Sequence, residues 1–89
     1  MPMSIWVAEL RVSDATAAKI SSKHGLDVDD IRAAIVGVPG LTFAWHDHPV
    51  RGLRAIVELE VGTHPVLAVL YPVDDALGDT WNLGSAYRV

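Results

Sequence analysis

The chain of 89 residues contains no cysteine. No disulfide can staple it and no thiolate can hold a metal, which predicts an intracellular, cytoplasmic address over an oxidising one. It also has no apolar run near the roughly 20 residues needed to span a bilayer. Met1-Pro2-Met3-Ser4 lacks the basic region and long apolar stretch of a signal peptide. Aromatic residues make up only 7%. Positive charge is scarce too: seven Lys and Arg against eleven Asp and Glu give a net charge of -4. A broad basic face of the kind that nucleic-acid binders normally use is therefore excluded, and only a small local cationic patch can form. The hydrophobic fraction of 51% and charged fraction of 20% are those of a globular domain. The length predicts a single domain over 1–89 with a thin core.

The charges are unevenly placed. Residues 1–54 hold six cations, Arg11, Lys19, Lys23, Arg32, Arg51 and Arg54, against six carboxylates. Residues 55–89 hold only Arg88 against Glu58, Glu60, Asp74, Asp75 and Asp79. The excess negative charge thus sits in residues 55–89.

Hydrophobic periodicity sets the order of elements. Ile5 to Val12 alternate and predict a strand. Ser13-Asp14 supply N-cap oxygens for a short helix that closes at Lys23-His24-Gly25. Asp27 opens a second helix, in which Val28, Ile31, Ile35 and Val38 recur on one face until Pro39-Gly40. From Leu41 the pattern is all strand. Leu41, Phe43 and Trp45 alternate; a turn over Pro49 to Gly52 leads into Leu53, Ala55, Val57, Leu59 and Val61. A second turn at Gly62-Thr63-His64-Pro65 leads to Val66–Val73, apolar on both faces. A loop over Asp74–Asp79 precedes Trp81, Leu83, Ser85, Tyr87 and Val89. The order β-α-α-β-β-β-β predicts an α+β fold, its two N-terminal helices packed on one face of a mostly antiparallel sheet.

No phosphate-binding glycine loop, metalloprotease helix or nucleophile elbow is present. Single residues carry what chemistry there is. Arg51 and Arg54 flank one hairpin and, with Lys23 and His24, could gather into a phosphate pocket; the alternative is two solvated arginines paired with Glu58 and Glu60. His46 and His48 share a strand face and could start a metal site with His64 or Asp74, against the plainer reading of a polar strand end. Tyr71 and Tyr87 could move protons, although Tyr71 lies in the most apolar strand and reads as core. Trp6, Trp45 and Trp81 read as core anchors. No cofactor is implied.

The run Asp14 to Leu26, closing on Lys23-His24-Gly25 before a hydrophobic residue, resembles the first helix of BrnT-like toxins. Asp27-Val28-Asp29-Asp30-Ile31 is similar to their second helix. Leu83-Gly84-Ser85-Ala86-Tyr87 stands where that family ends its last core strand with a Ser-Ala-Arg triplet; here Tyr87 takes the arginine's place and Arg88 follows. The resemblance spans residues 4–89. It implies a RelE/ParE-like ribonuclease toxin that cuts RNA by attack of a 2′-OH on the adjacent phosphate, held by an antitoxin protein. On that reading Arg51, Arg54, His64 and Tyr87 are catalytic, and Lys23, His24 and Arg88 bind substrate. The competing function is a non-enzymatic interaction domain that binds a partner protein or forms a homodimer, with no membrane involved.

Overall fold

A computed structural model describes residues 5–74 and 79–89. The elements run β1 (Glu9–Arg11), α1 (Asp14–His24), α2 (Val28–Ile35), β2 (Phe43–His48), β3 (Gly52–Val61), β4 (His64–Pro72) and β5 (Thr80–Arg88). The fold is α+β in the order β-α-α-β-β-β-β.

Local chemistry explains both helices. Ser13 caps α1 by accepting from the Thr16 amide at 3.1 Å. Gly25 ends it at φ 62°, the left-handed conformation that glycine adopts without a Cβ penalty. Its amide donates to Ser21 O and the Leu26 amide donates to Ile20 O, so carbonyls of the last turn find partners while Leu26 is buried. Asp27 caps α2 by accepting from the Asp29 amide at 2.8 Å. This helix stops at Ile35, short of the expected Val38. The cause is tertiary: Val36 turns extended and bridges Val7 in parallel, and the Gly37 amide donates to Val7 O at 2.9 Å.

The five strands form one sheet in the order β1-β5-β4-β3-β2. All neighbours are antiparallel except β1 and β5. The expected first strand, residues 5–12, is regular only over Glu9–Arg11; upstream, Ile5 and Val7 make isolated bridges to Leu41 and Val36. The loop expected at 74–79 falls mostly outside the described residues.

Both helices lie on one face of the sheet, α1 against β5 and α2 against β3. Ile20, Ile31 and Ile35 meet Ala55, Val57, Leu59, Val66, Ala68 and Leu70 there in one core. In β5 the simple alternation breaks. Val69 pairs Ser85 but Leu70 pairs Leu83, so Gly84 is the extra residue of a bulge. Leu83 and Ala86 therefore both face the core, while Ser85 and Tyr87 pair with Val69 and Leu67 on the other face. Of the three tryptophans only Trp81 is a core anchor. Trp6 is 46% and Trp45 44% exposed, with Trp45 stacked against Trp81 at 5.9 Å between ring centroids.

Candidate functional site

No described element covers the other sheet face. Strand register writes its rows directly. Ala44, Ile56, Val69 and Ser85 form one row across β2 to β5, and Glu58, Leu67 and Tyr87 the next. On the opposite side of the apolar row, His46 pairs with Arg54, and Tyr71 pairs with Asn82.

Arg54 joins this last row. Its Nε donates to His46 Nδ1 at 3.0 Å, and its Nη1 donates to the Tyr71 hydroxyl at 3.2 Å. Neither Glu58 nor Glu60 forms an ion pair with it. Arg51 stands exposed in the hairpin turn beside the same phenol. Burial pushes the Tyr71 phenol up, but the hydrogen bonds and positive charges of Arg54 and Arg51 outweigh it, so Tyr71 ionises below the usual 10.0. Tyr71 is thus a half-buried polar residue of the uncovered face, not the core residue its apolar strand suggested.

His48 has a structural task. Its Nδ1 accepts from the amides of Val50 at 3.1 Å and Arg51 at 3.0 Å, closing the turn. With Nδ1 of both His46 and His48 used as acceptors, the neutral rings carry their protons on Nε2, where a metal would have to bind. Among the described residues no group of three His, Asp or Glu side chains could hold a metal ion.

The tyrosine ring lies across the bulge. A Cβ built on Gly84 would collide with Cε2 of Tyr71 and stand 2.9 Å from Cδ2. Glycine is therefore required here by close approach. Gly84→Ala is expected to push the ring off Arg54 and to cost about 1–2 kcal/mol of stability through overpacking. Ultraviolet titration in a Tyr87→Phe background reads the outcome: the remaining phenol should move back toward 10.0.

The seven residues singled out by sequence divide into two groups. Arg51 and Arg54 meet at the β2–β3 hairpin. His64 and Arg88 line a shallow hollow of about 560 Å³ at the other end of β3, bordered by Asp27, Asp30 and Glu60. His24 and Tyr87, with ring centroids 6.2 Å apart, adjoin in sequence Gly25 and Arg88 of that hollow, and exposed Lys23 precedes His24. Seven residues of strand at about 3.3 Å each put roughly 23 Å between Arg54 and Val61, which adjoins that hollow. His64 and Tyr87 therefore do not share a site with the arginines, and Lys23 and His24 do not lie over the arginine hairpin. The sequence offers Tyr71 for proton transfer but reads it as core, and offers His46 only as a metal ligand; what it misses is that both contact Arg54. His46 and Arg54 stand four residues either side of position 50 in the turn, so hairpin register alone could have paired them. Comparison with protein-family models, with curated proteins and with solved structures finds no match for this chain.

Proposed function

We propose that the helix-free sheet face binds the phosphodiester backbone of single-stranded RNA at Arg51 and Arg54 and cleaves it with Tyr71 as general base. The observation that carries this is the Arg54 bridge between His46 and Tyr71 on an open surface. Two guanidinium groups beside a phenol of lowered pKa supply anion binding and a proton acceptor in one place. The Tyr71 phenolate takes the proton of a ribose 2′-OH; that oxygen forms a bond to the adjacent phosphorus. The bond from phosphorus to the 5′ oxygen breaks, and the leaving oxygen takes a proton from water. The products are a 2′,3′-cyclic phosphate and a 5′-hydroxyl end. Arg51 and Arg54 stabilise the charge that builds on the phosphoryl oxygens.

The resemblance to BrnT-like toxins supports this reading through the order of elements and the Lys23-His24-Gly25 cap, and adds an antitoxin partner and a cytoplasmic setting to the proposal. His64 and Tyr87 lose their catalytic assignment. A protein-interaction module is the second reading, favoured by the exposed side chains of Trp6, Trp45 and Leu53.

An end-labelled RNA oligonucleotide and its DNA counterpart, each incubated with the purified chain, test the proposal. RNA should yield cyclic-phosphate ends and DNA should stay whole. Tyr71→Phe should slow cleavage by about 10²–10⁴-fold. The rate should rise with pH until Tyr71 is ionised, below 10.0, and the variant should lack that limb. Intact RNA alongside folded wild-type protein would refute the enzyme reading.

A further inference from the structure

Each arginine of the hairpin is held by one histidine. His46 on β2 faces Arg54 on β3 across the ladder, and its Nδ1 accepts from the Arg54 Nε at 3.0 Å. His48 ends β2, and its Nδ1 accepts from the Val50 amide at 3.1 Å and from the amide of Arg51 itself at 3.0 Å. In all three bonds the partner can only donate. A guanidinium Nε and a backbone amide nitrogen each carry a hydrogen and accept none. Nδ1 of both rings must therefore be unprotonated for these bonds to exist.

We infer that proton uptake by His46 and His48 unfastens the tip of the β2–β3 hairpin and releases Arg51 and Arg54 from their fixed places. A ring protonated on both nitrogens is a donor at Nδ1 as well as at Nε2. It sets an N–H against an N–H in every one of these contacts. Charge acts in the same direction. The two rings stand 6.3 Å apart between centroids, so two imidazolium ions join two guanidinium ions at one end of the sheet. The groups that face the rings are Arg54 from β3, Arg51 from the turn and, beyond Arg54, the Tyr71 hydroxyl from β4. The row ends on β1 at Arg11, which pairs with Glu9. Asp47, between the histidines in β2, alternates to the opposite face. More distant charges move the pH of the change but do not remove the clash, which is one of bonding. The consequence for cleavage rests on the RNA reading: in acid the two guanidinium groups no longer share a fixed place beside the phenol. The hairpin switch itself needs no RNA.

Nuclear magnetic resonance of the isotope-labelled chain, without RNA, is the test. Imidazole ordinarily takes its second proton between about pH 8 and about pH 5. The ring nitrogens report that uptake, while the Val50 and Arg51 amides and the Arg54 Nε–H report the bonds. As the pH falls through this interval, the amide and Nε–H resonances should follow the ring nitrogens. Exchange of the Arg51 amide, corrected for its intrinsic pH dependence, should quicken about five- to tenfold, as expected for the loss of one hydrogen bond. The double variant His46→Asn with His48→Asn places a side-chain oxygen that does not titrate where Nδ1 stood. It should hold the same resonances steady down to about pH 5. Val50 and Arg51 amides that stay in place while both rings gain protons would overturn the inference, and so would an undiminished response in the double variant. RNA takes no part in either outcome, so the switch and the nuclease can fail separately.

Discussion

Replacing Arg54 with alanine is expected to reduce RNA cleavage by about 10²–10³-fold, the usual loss when one preorganised charge-stabilising donor is removed. Three effects converge on this side chain. It supplies one of two guanidinium groups of the cluster, it holds the Tyr71 hydroxyl at 3.2 Å, and its charge helps depress the phenol. Binding should weaken as well. Two phosphate contacts to a single strand predict a slope of about −1.4 for log K against log salt, and one contact predicts half of that. Stability should barely change, because Arg54 is only half-buried and its partners His46 and Tyr71 lie on the uncovered face. Single-turnover cleavage, a salt titration and a thermal melt separate these effects. A variant that melts like the wild type and still cuts at full rate would move the chemistry elsewhere.

The second large effect concerns the scaffold. Ile31→Ala should cost about 3–4 kcal/mol. Ile31 and Ile35 are the two buried residues of α2, and both are completely inaccessible. Truncating one leaves a cavity between the helix and β3 that an eight-residue helix cannot close by shifting. A domain of this length has roughly 5–13 kcal/mol of stability in total. The loss should lower the melting temperature by at least 12 °C, read by circular dichroism. Ile31→Val should cost only about 1 kcal/mol, which identifies the lost volume as the cause. An Ile31→Ala melt within a few degrees of wild type would mean that α2 contributes little to the core.

Much of this architecture was readable before any coordinates. Ser13, Gly25 and Asp27 mark helix boundaries through hydrogen bonds made within a few residues, so local sequence suffices. Leu53, Ala55, Val57 and Leu59 declare a half-buried strand by alternation. What escaped depends on partners distant in sequence. By spacing the helical stripe runs on to Val38, yet Val7 recruits Val36 into a bridge and the helix ends at Ile35. Gly84 shifts the phase of β5 by one, so Leu83 and Ala86 share a face that alternation denies them. Tyr71 sits in a strand apolar on both sides, and nothing local tells which side the helices cover. Trp6 and Trp45 carry the most hydrophobic area per residue, yet the helices do not reach far enough to cover them. The arginine pair of the site was legible because it flanks a recognisable turn. The phenol and imidazole that complete the row come from other strands, and only pairing register reveals them.

The parallel contact of β1 with β5 gives the molecule an uneven hold on itself. Strands β2 to β5 are successive hairpins, each closing a short loop, whereas Glu9–Arg11 reaches its partners Thr80–Asn82 across some seventy residues. Three residues of ladder secure that closure, reinforced by the Arg32 guanidinium, which donates to the Leu10 carbonyl at 2.6 Å, and by the Trp81 indole on Trp6 O. The first strand is therefore a latch. It should seat last during folding, since its entropy of closure is the largest, and release first, carrying Leu10 out of the core while the meander stays intact. Amide protons of β1 would then exchange through this partial opening ahead of those in β3 and β4.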